Sequence, residues 1–368
     1  MPDKRKSNFD VGKSLPNMLA DANQKPELKP RPLPEQKPPV SWKRRIVYAL
    51  LALLIIFVAS VGWLSYKFQA NCAKVFKDCT IFSLFDNTPL RGESRGRVNI
   101  LLVGNSVDDP GHSGAKLTDS LMLISLNPKA HTGYMLSIPR DLHVNIPGIG
   151  PGKINAVYEF DGIDALKQVV SQDLGVPIDY YALISYNAFR DTVNAVGGIT
   201  VNIKSSDPRG IYDPSLDYTS LTCCALAKYP NGPVKLNGKQ ALNLARARGD
   251  AYGSYGINAD FGRTEDQRMM LSALKDKASS FGTLINPLKL GSLLDAVGKN
   301  VQTDFRGNNI HRLASIVKST PDSQLKSVGL NDINGKSYLA SYGGDLIPAV
   351  GLDDFSQIQA YVAQLNQN

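Results

Sequence analysis

With 368 residues and a net charge of +8, the chain is long enough for one large domain with appendages. Residues 1–45 hold eleven Lys or Arg against five Asp or Glu, hence +6, which leaves only +2 for the remainder. A basic tail on a nearly neutral body argues against a globally basic nucleic-acid-binding protein, and the short tail has no helix-turn-helix pattern.

The first predicted elements are a tail and a membrane anchor. Residues 1–45 are rich in proline and lysine, which predicts a disordered cytoplasmic tail. Residues 46–66 are uncharged and nearly all apolar, and at about 1.5 Å each they cross a bilayer core of roughly 30 Å. Because basic residues precede this stretch, we expect an uncleaved signal-anchor with a cytoplasmic N-terminus. Residues 67–96 would be a juxtamembrane stalk, and 97–368 one extracellular domain.

The cysteines suit an oxidising compartment, and three arrangements stay open. Cys72 and Cys79 follow the anchor, whereas Cys223 and Cys224 are adjacent. The first arrangement is a Cys72–Cys79 disulfide together with a disulfide between the adjacent Cys223 and Cys224. The others are disulfides between the two sites, and free thiols. A zinc site is disfavoured because the four histidines are scattered and no paired CxxC spacing occurs.

Strand and helix patterns alternate from residue 98 onward. This alternation predicts an α/β fold with a mixed central sheet and helices on both faces. Residues 208–233, rich in Pro, Gly, Tyr and Cys, predict a surface insertion. The predicted strands are 99–104, 121–126, 134–138, 180–185, 198–203 and 325–330, and the predicted helices are 161–174, 187–196, 265–278, two near residues 293 and 311, and 353–365.

An arginine-rich stretch is the first candidate site. Asn237 and Gln240 have the spacing of a capping box, which predicts a helix from about Gly238. Arg246 and Arg248 are two residues apart, so on an extended segment both side chains leave the same face. A helix that ends by residue 245 would therefore aim both guanidinium groups at one place.

A second pair of polar residues follows at helical spacing. Arg263 and Gln267 lie at i and i+4, and Thr264 with Gln267 resembles a capping signal, so we expect a helix to begin there. A helix N-terminus favours anions, and guanidinium matches phosphate oxygens. The stretch therefore suits a phosphate or pyrophosphate, with a solvated basic helix end as the alternative.

Three further residues lie at predicted strand ends, where ligand groups collect in α/β sheets. Asp119 stands immediately before one strand, and Arg140 and Asp141 stand just after another. A carboxylate beside arginines can bind Mg²⁺ together with substrate phosphates. The alternatives are a cap for Asp119 and a loop ion pair for Arg140 and Asp141. Residues 147–154 have the glycines of a phosphate loop without its spacing, and no hydrolase elbow or zinc motif occurs.

Eight segments together resemble the LytR-CpsA-Psr family. They cover about residues 97–280 in the order expected of that family, and they are NILLVG, TDSLMLISLNP, MLSIPRD, KINAVYEF, IDYYALI, GGITVNI, LNGKQALNLARAR and DFGRTEDQ. The resemblance implies an α-β-α sandwich with a lipid groove and an arginine-lined mouth. It also implies a phosphotransferase that moves a glycopolymer from a polyprenyl-pyrophosphate carrier to peptidoglycan.

The resemblance also implies roles for single residues. Asp119 would hold Mg²⁺, with Mn²⁺ as an alternative, and Asp141 or Asp119 would take the proton of the acceptor hydroxyl. The phosphates would be held by Arg140, Arg246, Arg248, Arg263 and Gln267.

The chain departs from the family pattern at three positions. Ser106 replaces an acidic metal contact, for which only Asp108 or Asp109 could substitute. Leu117 and Asp266 stand where the family has arginines. These departures suggest one alternative to the enzyme, a non-catalytic receptor for polyprenyl phosphates. The resemblance implies a second, a regulatory envelope protein, because part of the family is labelled as transcriptional attenuators.

Overall fold

The computed structural model describes residues 42–84, 86–108, 114–213, 227–248, 259–279, 295, 298, 301–331 and 337–367. The chain divides into two compact units, Met1–Phe57 and Val58–Asn368. Helix α1, Trp42–Cys72, runs through the division. Its window Ala49–Lys67 is long and apolar enough to cross a membrane, judged by length and composition. The predicted tail lies almost wholly outside the described residues.

The second unit alternates strands and helices, as the sequence predicts. The strands are β1 Val98–Asn105, β2 Thr118–Asn127, β3 Thr132–Ile138, β4 His143–Ile146, β5 Gly150–Lys153, β6 Tyr180–Ser185, β7 Ile199–Ile203, β8 Ile211–Asp213, β9 Ala227–Tyr229, β10 Gly232–Leu236, β11 Val301–Thr303, β12 Leu325–Val328, β13 Leu339–Tyr342 and β14 Asp345–Pro348. The helices are α2 Ile154–Leu174, α3 Tyr186–Ala195, α4 Gly238–Arg246, α5 Ala259–Ser279, α6 Ile310–Ser319 and α7 Ser356–Gln367.

Six strands form a mixed central sheet in the order β11-β6-β1-β2-β3-β12. β1 is parallel to β6 and antiparallel to β2, and β3 is antiparallel to β2 and parallel to β12. The mixed sheet of the predicted fold class is thereby confirmed. β7 does not join this sheet but pairs with β10, next to the helices α4 and α5.

The sheet is covered on both faces because its strands are apolar on both sides. Along β1, Leu101 and Val103 pack in one cluster with residues of α2 and α7. Ile100, on the opposite face of the same strand, packs in another cluster with Ile316 of α6. Helices on both faces are therefore confirmed, and the layers form an α-β-α sandwich.

Three predicted helix starts differ from the structure, and one of them is that of α7, which begins at Ser356 and not at residue 353. α2 begins at Ile154 rather than residue 161, and Gly162, with φ 76° and ψ −169°, interrupts it just after the predicted start. α5 begins at Ala259, five residues before Thr264, whose hydroxyl donates to the Phe261 carbonyl at 2.9 Å and does not cap the helix. Gly175 ends α2 in the left-handed conformation, directly after the predicted last residue 174.

Residues after the predicted anchor contact the body of the second unit. A disulfide joins Cys72 to Cys79, which is one of the arrangements left open by the sequence. The Gly307 amide donates to the Lys77 carbonyl at 2.9 Å, and Arg312 pairs with Glu93 at 2.6 Å. Positions 223 and 224 lie outside the described residues. The boundary predicted at residue 97 remains a prediction.

Candidate active site

A pocket of about 380 Å³ lies at one end of the central sheet. The parallel strands β1 and β6 end there together, with Gly104 beside Ile184, and the antiparallel β2 begins there with Ser120 opposite Gly104. Helices α3, α4 and α5 supply the rest of the lining, in which Asp119, Arg140, Arg246, Arg248, Arg263 and Gln267 meet.

Polar lining residues precede apolar lining residues along two of the elements. On β2, Asp119 and Ser120 precede Met122, and on α5 Arg263 precedes Met270. Charged residues thus contribute from one end of β2 and α5 and apolar residues from further along them, a combination that suits an anionic group on an apolar chain. The apolar lining residues are Leu102, Val103, Met122, Ile184, Phe189, Leu242, Met270, Leu271 and Leu274.

Asp119 is held through both carboxylate oxygens. Arg140 Nη1 donates to Oδ1 at 2.8 Å, and the Tyr186 hydroxyl donates to Oδ2 at 3.2 Å. Asp119 is the second residue of β2 and does not stand before the strand, which corrects the predicted boundary. Neither a cap nor a turn accounts for it, because its partners come from two other segments of the chain.

The predicted arginine pair is present at the end of α4. The Asn237–Gln240 capping box begins the helix as expected, and Arg246 ends it one residue later than the predicted 245. The Arg248 amide donates to Asp213 Oδ2 at 2.7 Å, which fixes the chain beyond the helix. Both arginines line the pocket, and the Arg246 guanidinium lies 5.0 Å from the centroid of the Tyr186 ring.

Arg263 and Gln267 share a face of α5, as their spacing predicts, but they lie inside the helix and not at its N-terminus. The expected contribution of a helix dipole at this point is therefore wrong. Gln267 donates to the Ala245 carbonyl at 2.9 Å and accepts from the Ser120 hydroxyl at 2.8 Å. It thus joins the end of α4 to β2, and its binding of phosphate stays a prediction.

Two predicted carboxylates do not line the pocket. Asp141 accepts from Lys153 at 2.8 Å and lies 3.7 Å from Arg140 Nε, so it stands behind that arginine. Asp108 accepts from the Asn187 amide at 2.9 Å in the first turn of α3. Position 109 lies outside the described residues. The assignments of Asp141 as base and Asp108 as metal ligand stay predictions, and geometry does not favour them.

Sequence reasoning missed Tyr186 and Asp213. Tyr186 follows β6 directly, so the strand-end rule that selected Asp141 would also have found it. Burial, and next to it the charge of Asp119, raises the pKa of Tyr186 to about 12, so it stays a hydroxyl donor at physiological pH. Asp213 lies in a short strand of the predicted insertion, and no sequence signal connected it with the pocket.

The donor set fits Mg²⁺ only together with a ligand. In the described part of the chain no three His, Cys, Asp or Glu side chains cluster as a metal site. Asp119 lines the pocket with arginines that suit phosphate, and Mg²⁺ takes one or two carboxylates plus substrate phosphates. The residues present therefore fit an ion shared with a phosphate rather than a preformed protein cage.

Comparison with known proteins identifies a family pattern over most of the chain. The model of the LytR_cpsA_psr family matches residues 69–345. TagU of Oceanobacillus iheyensis is 35% identical over 227 residues, which are 60% of this chain and 63% of that protein. TagU of Bacillus cereus is 31% identical over 313 residues, which are 80% of this chain and 92% of that protein. Both are named polyisoprenyl-teichoic acid–peptidoglycan teichoic acid transferases.

Solved structures share the fold. The crystal structure of B. subtilis TagV matches with a TM-score of 0.54 and 26% identity, over 74% of this chain and 97% of that one. Protein gbs0355 of Streptococcus agalactiae matches with a TM-score of 0.58 and 26% identity, over 77% of this chain and 92% of that one.

Proposed function

The chain belongs to the LytR-CpsA-Psr family, and from this we propose that it transfers a glycopolymer from a polyprenyl-pyrophosphate carrier to peptidoglycan. The names of its relatives support a transfer of this kind. The observation that carries the proposal is one pocket lined both by four arginines and by apolar side chains. A pyrophosphate on a polyprenyl chain has the same two kinds of part, one anionic and one apolar.

The arginines would bind the pyrophosphate and stabilise the transition state. Arg140, Arg246, Arg248 and Arg263 come from three segments of the chain and line one partly enclosed space. Their charges are permanent, and each planar fork can donate to two phosphate oxygens. As the bond to the carrier breaks, charge builds up on the leaving phosphate, and preorganised donors there lower the barrier.

Asp119 is the carboxylate best placed for chemistry. It lines the pocket, whereas Asp141 is held outside it by Lys153. Since a base must first be within reach of its proton, the geometry favours Asp119 over Asp141. When Mg²⁺ is bound, Asp119 and phosphate oxygens would hold it, and it would neutralise negative charge on the phosphates.

We further propose a single-pass membrane protein with a cytoplasmic N-terminus and an extracellular catalytic domain. The apolar window Ala49–Lys67 and the basic residues 43–45 before it support this topology. The partners would then be the lipid-linked glycan, peptidoglycan and the membrane, and no nucleic acid.

The test uses the full chain in lipid nanodiscs with a radiolabelled polyprenyl-pyrophosphate glycan and purified peptidoglycan, with and without Mg²⁺. We expect Mg²⁺-dependent attachment of label to peptidoglycan. One observation favours the receptor alternative, because both oxygens of Asp119 are already bound by protein donors. Tight lipid binding that ignores Mg²⁺, with no transfer or release, would establish the receptor and exclude the transferase.

A further inference from the structure

Tyr186 contacts two charged residues of the pocket at once. Its hydroxyl donates to Asp119 Oδ2 at 3.2 Å, and its ring lies 5.0 Å from the Arg246 guanidinium. The hydroxyl and the ring face are different parts of one rigid side chain, so each can hold a different partner. Asp119 lies in β2 and Arg246 ends α4, and Tyr186 therefore joins a strand to a helix that are distant in the sequence.

The backbone fixes the position of Tyr186 between β6 and α3. It is the first residue of α3, and the side chain of Ser185 caps this helix by accepting from the Ala188 amide at 3.3 Å. Ser185 is also the last residue of β6, where it pairs with Asn105 of β1. The tyrosine thus lies at the junction of the central sheet and a capped helix, and it is partly buried.

Each contact constrains its partner. Arg140 binds Asp119 through Oδ1 alone, so the carboxylate could turn about that single bond if Oδ2 had no donor. The Tyr186 hydroxyl supplies the second donor and fixes the plane of the carboxylate. A guanidinium is attracted to the face of an aromatic ring, so the same side chain sets the direction of Arg246.

We propose that Tyr186 is a positioning residue, whose hydroxyl orients Asp119 and whose ring presents the Arg246 guanidinium to pyrophosphate. It acts through these two side chains. The inference rests on the proposed transfer reaction and adds a residue that none of the sequence motifs includes. The hydroxyl and the ring have different effects, and substitutions of Tyr186 can therefore separate them.

The experiment compares Tyr186→Phe and Tyr186→Leu in the full chain in nanodiscs. It measures kcat and KM for glycan transfer, and the Kd of inorganic pyrophosphate without metal. Tyr186→Phe keeps the ring, so we expect kcat to fall about tenfold while KM and the pyrophosphate Kd change less than about twofold. Tyr186→Leu also loses the ring, and the Kd should rise about fivefold or more.

Tyr134→Phe is the matched control. Its hydroxyl bonds Asn366 at 3.0 Å on the opposite face of the sheet, so its loss should leave kcat and Kd unchanged. An unchanged kcat in Tyr186→Phe overturns the role of the hydroxyl, and an unchanged Kd in Tyr186→Leu overturns the role of the ring. Tyr186→Phe preserves nearly the whole volume and keeps the test decisive if Tyr186→Leu does not fold. A wild-type protein that binds pyrophosphate without transfer contradicts the proposed function instead.

Discussion

At the scale of single residues, Arg246 offers a direct test of phosphate binding. It ends α4 and lines the pocket, whereas Arg190 pairs with Asp191 on α3 and does not line it. Arg246→Ala should lower kcat/KM about 100-fold, because it removes a preorganised donor from the transition state. Arg190→Ala removes an equal charge nearby and should change kcat/KM less than about twofold. Equal losses in both variants would show a general effect of charge.

Asp119 and Asp141 should differ in the same assay. Asp119 lines the pocket, and Asp141 lies outside it between Lys153 and Arg140. We expect Asp119→Asn to lower kcat about 100-fold or more, and Asp141→Asn less than about tenfold, since only the support of Arg140 weakens. The comparison is made at saturating donor and equal folded fraction. The reverse order of effects would restore Asp141 as the base.

The sequence predicted most of the residues that meet in the pocket but few of their contacts. Charge type and strand-end position were sufficient to select Asp119, Arg140 and the arginines, because both are local properties. The bonds of Gln267 to Ser120 and Ala245 depend on how β2, α4 and α5 pack, and spacing along the chain does not encode this. Tyr186 was missed because a tyrosine after a strand is also an ordinary core residue.

The helix α4 begins at a capping box and ends at the pocket. Asn237 accepts from the Gln240 amide at 3.0 Å and Gln240 bonds back to the Asn237 amide, while Arg246 stands at the other end of the same helix. Asn237→Ala should lower the free energy of unfolding by about 1 kcal/mol, measured by urea denaturation. Asn237→Asp keeps an acceptor and should stay within a few tenths of a kcal/mol. Equal losses of unfolding free energy in both variants would show that the side-chain acceptor at position 237 does not stabilise the helix.

The predicted elements of the central sheet agree with the structure better than the helix starts do. Short apolar runs bounded by turns gave β1, β3 and β6 to within one or two residues, because a strand buried on both faces leaves a continuous pattern. A helix start depends on which competing hydrogen bond forms. The Thr264 hydroxyl bonds a carbonyl inside α5, so a sequence pattern that resembles a capping signal occurs one turn into the helix.

At the scale of the whole molecule, one buried carboxyl couples stability to pH. Burial, and next to it the charge of Asp353, raises the pKa of Asp173 in α2 to about 7 from an ordinary value of 3.8. The folded state therefore holds this proton between about pH 4 and 7 while the unfolded chain has lost it. This contribution to stability is complete below pH 4, falls as pH rises to 7 and is constant above.

Asp173→Asn should remove that dependence. At pH 8 we expect the variant to unfold at a higher temperature than the wild type, and its free energy of unfolding should be larger by on the order of a few kcal/mol. At pH 4 the two proteins should differ little. The measurement is thermal unfolding across this pH range. Asp353→Asn should give a smaller change of the same sign, because burial is the larger cause. If the stability of the wild type and that of the variant change by the same amount between pH 4 and 7, the assignment is contradicted.

On the proposed topology, the short connection after the anchor would limit how far the catalytic domain can reach. The apolar window ends at Lys67 and α1 ends at Cys72, so five helical residues span only about 8 Å. The chain then closes on itself through the disulfide and attaches to Gly307 through Lys77. On the proposed topology, an enzyme on so short a tether would work close to the bilayer. It would reach acceptor strands next to the membrane and leave more distant strands untouched.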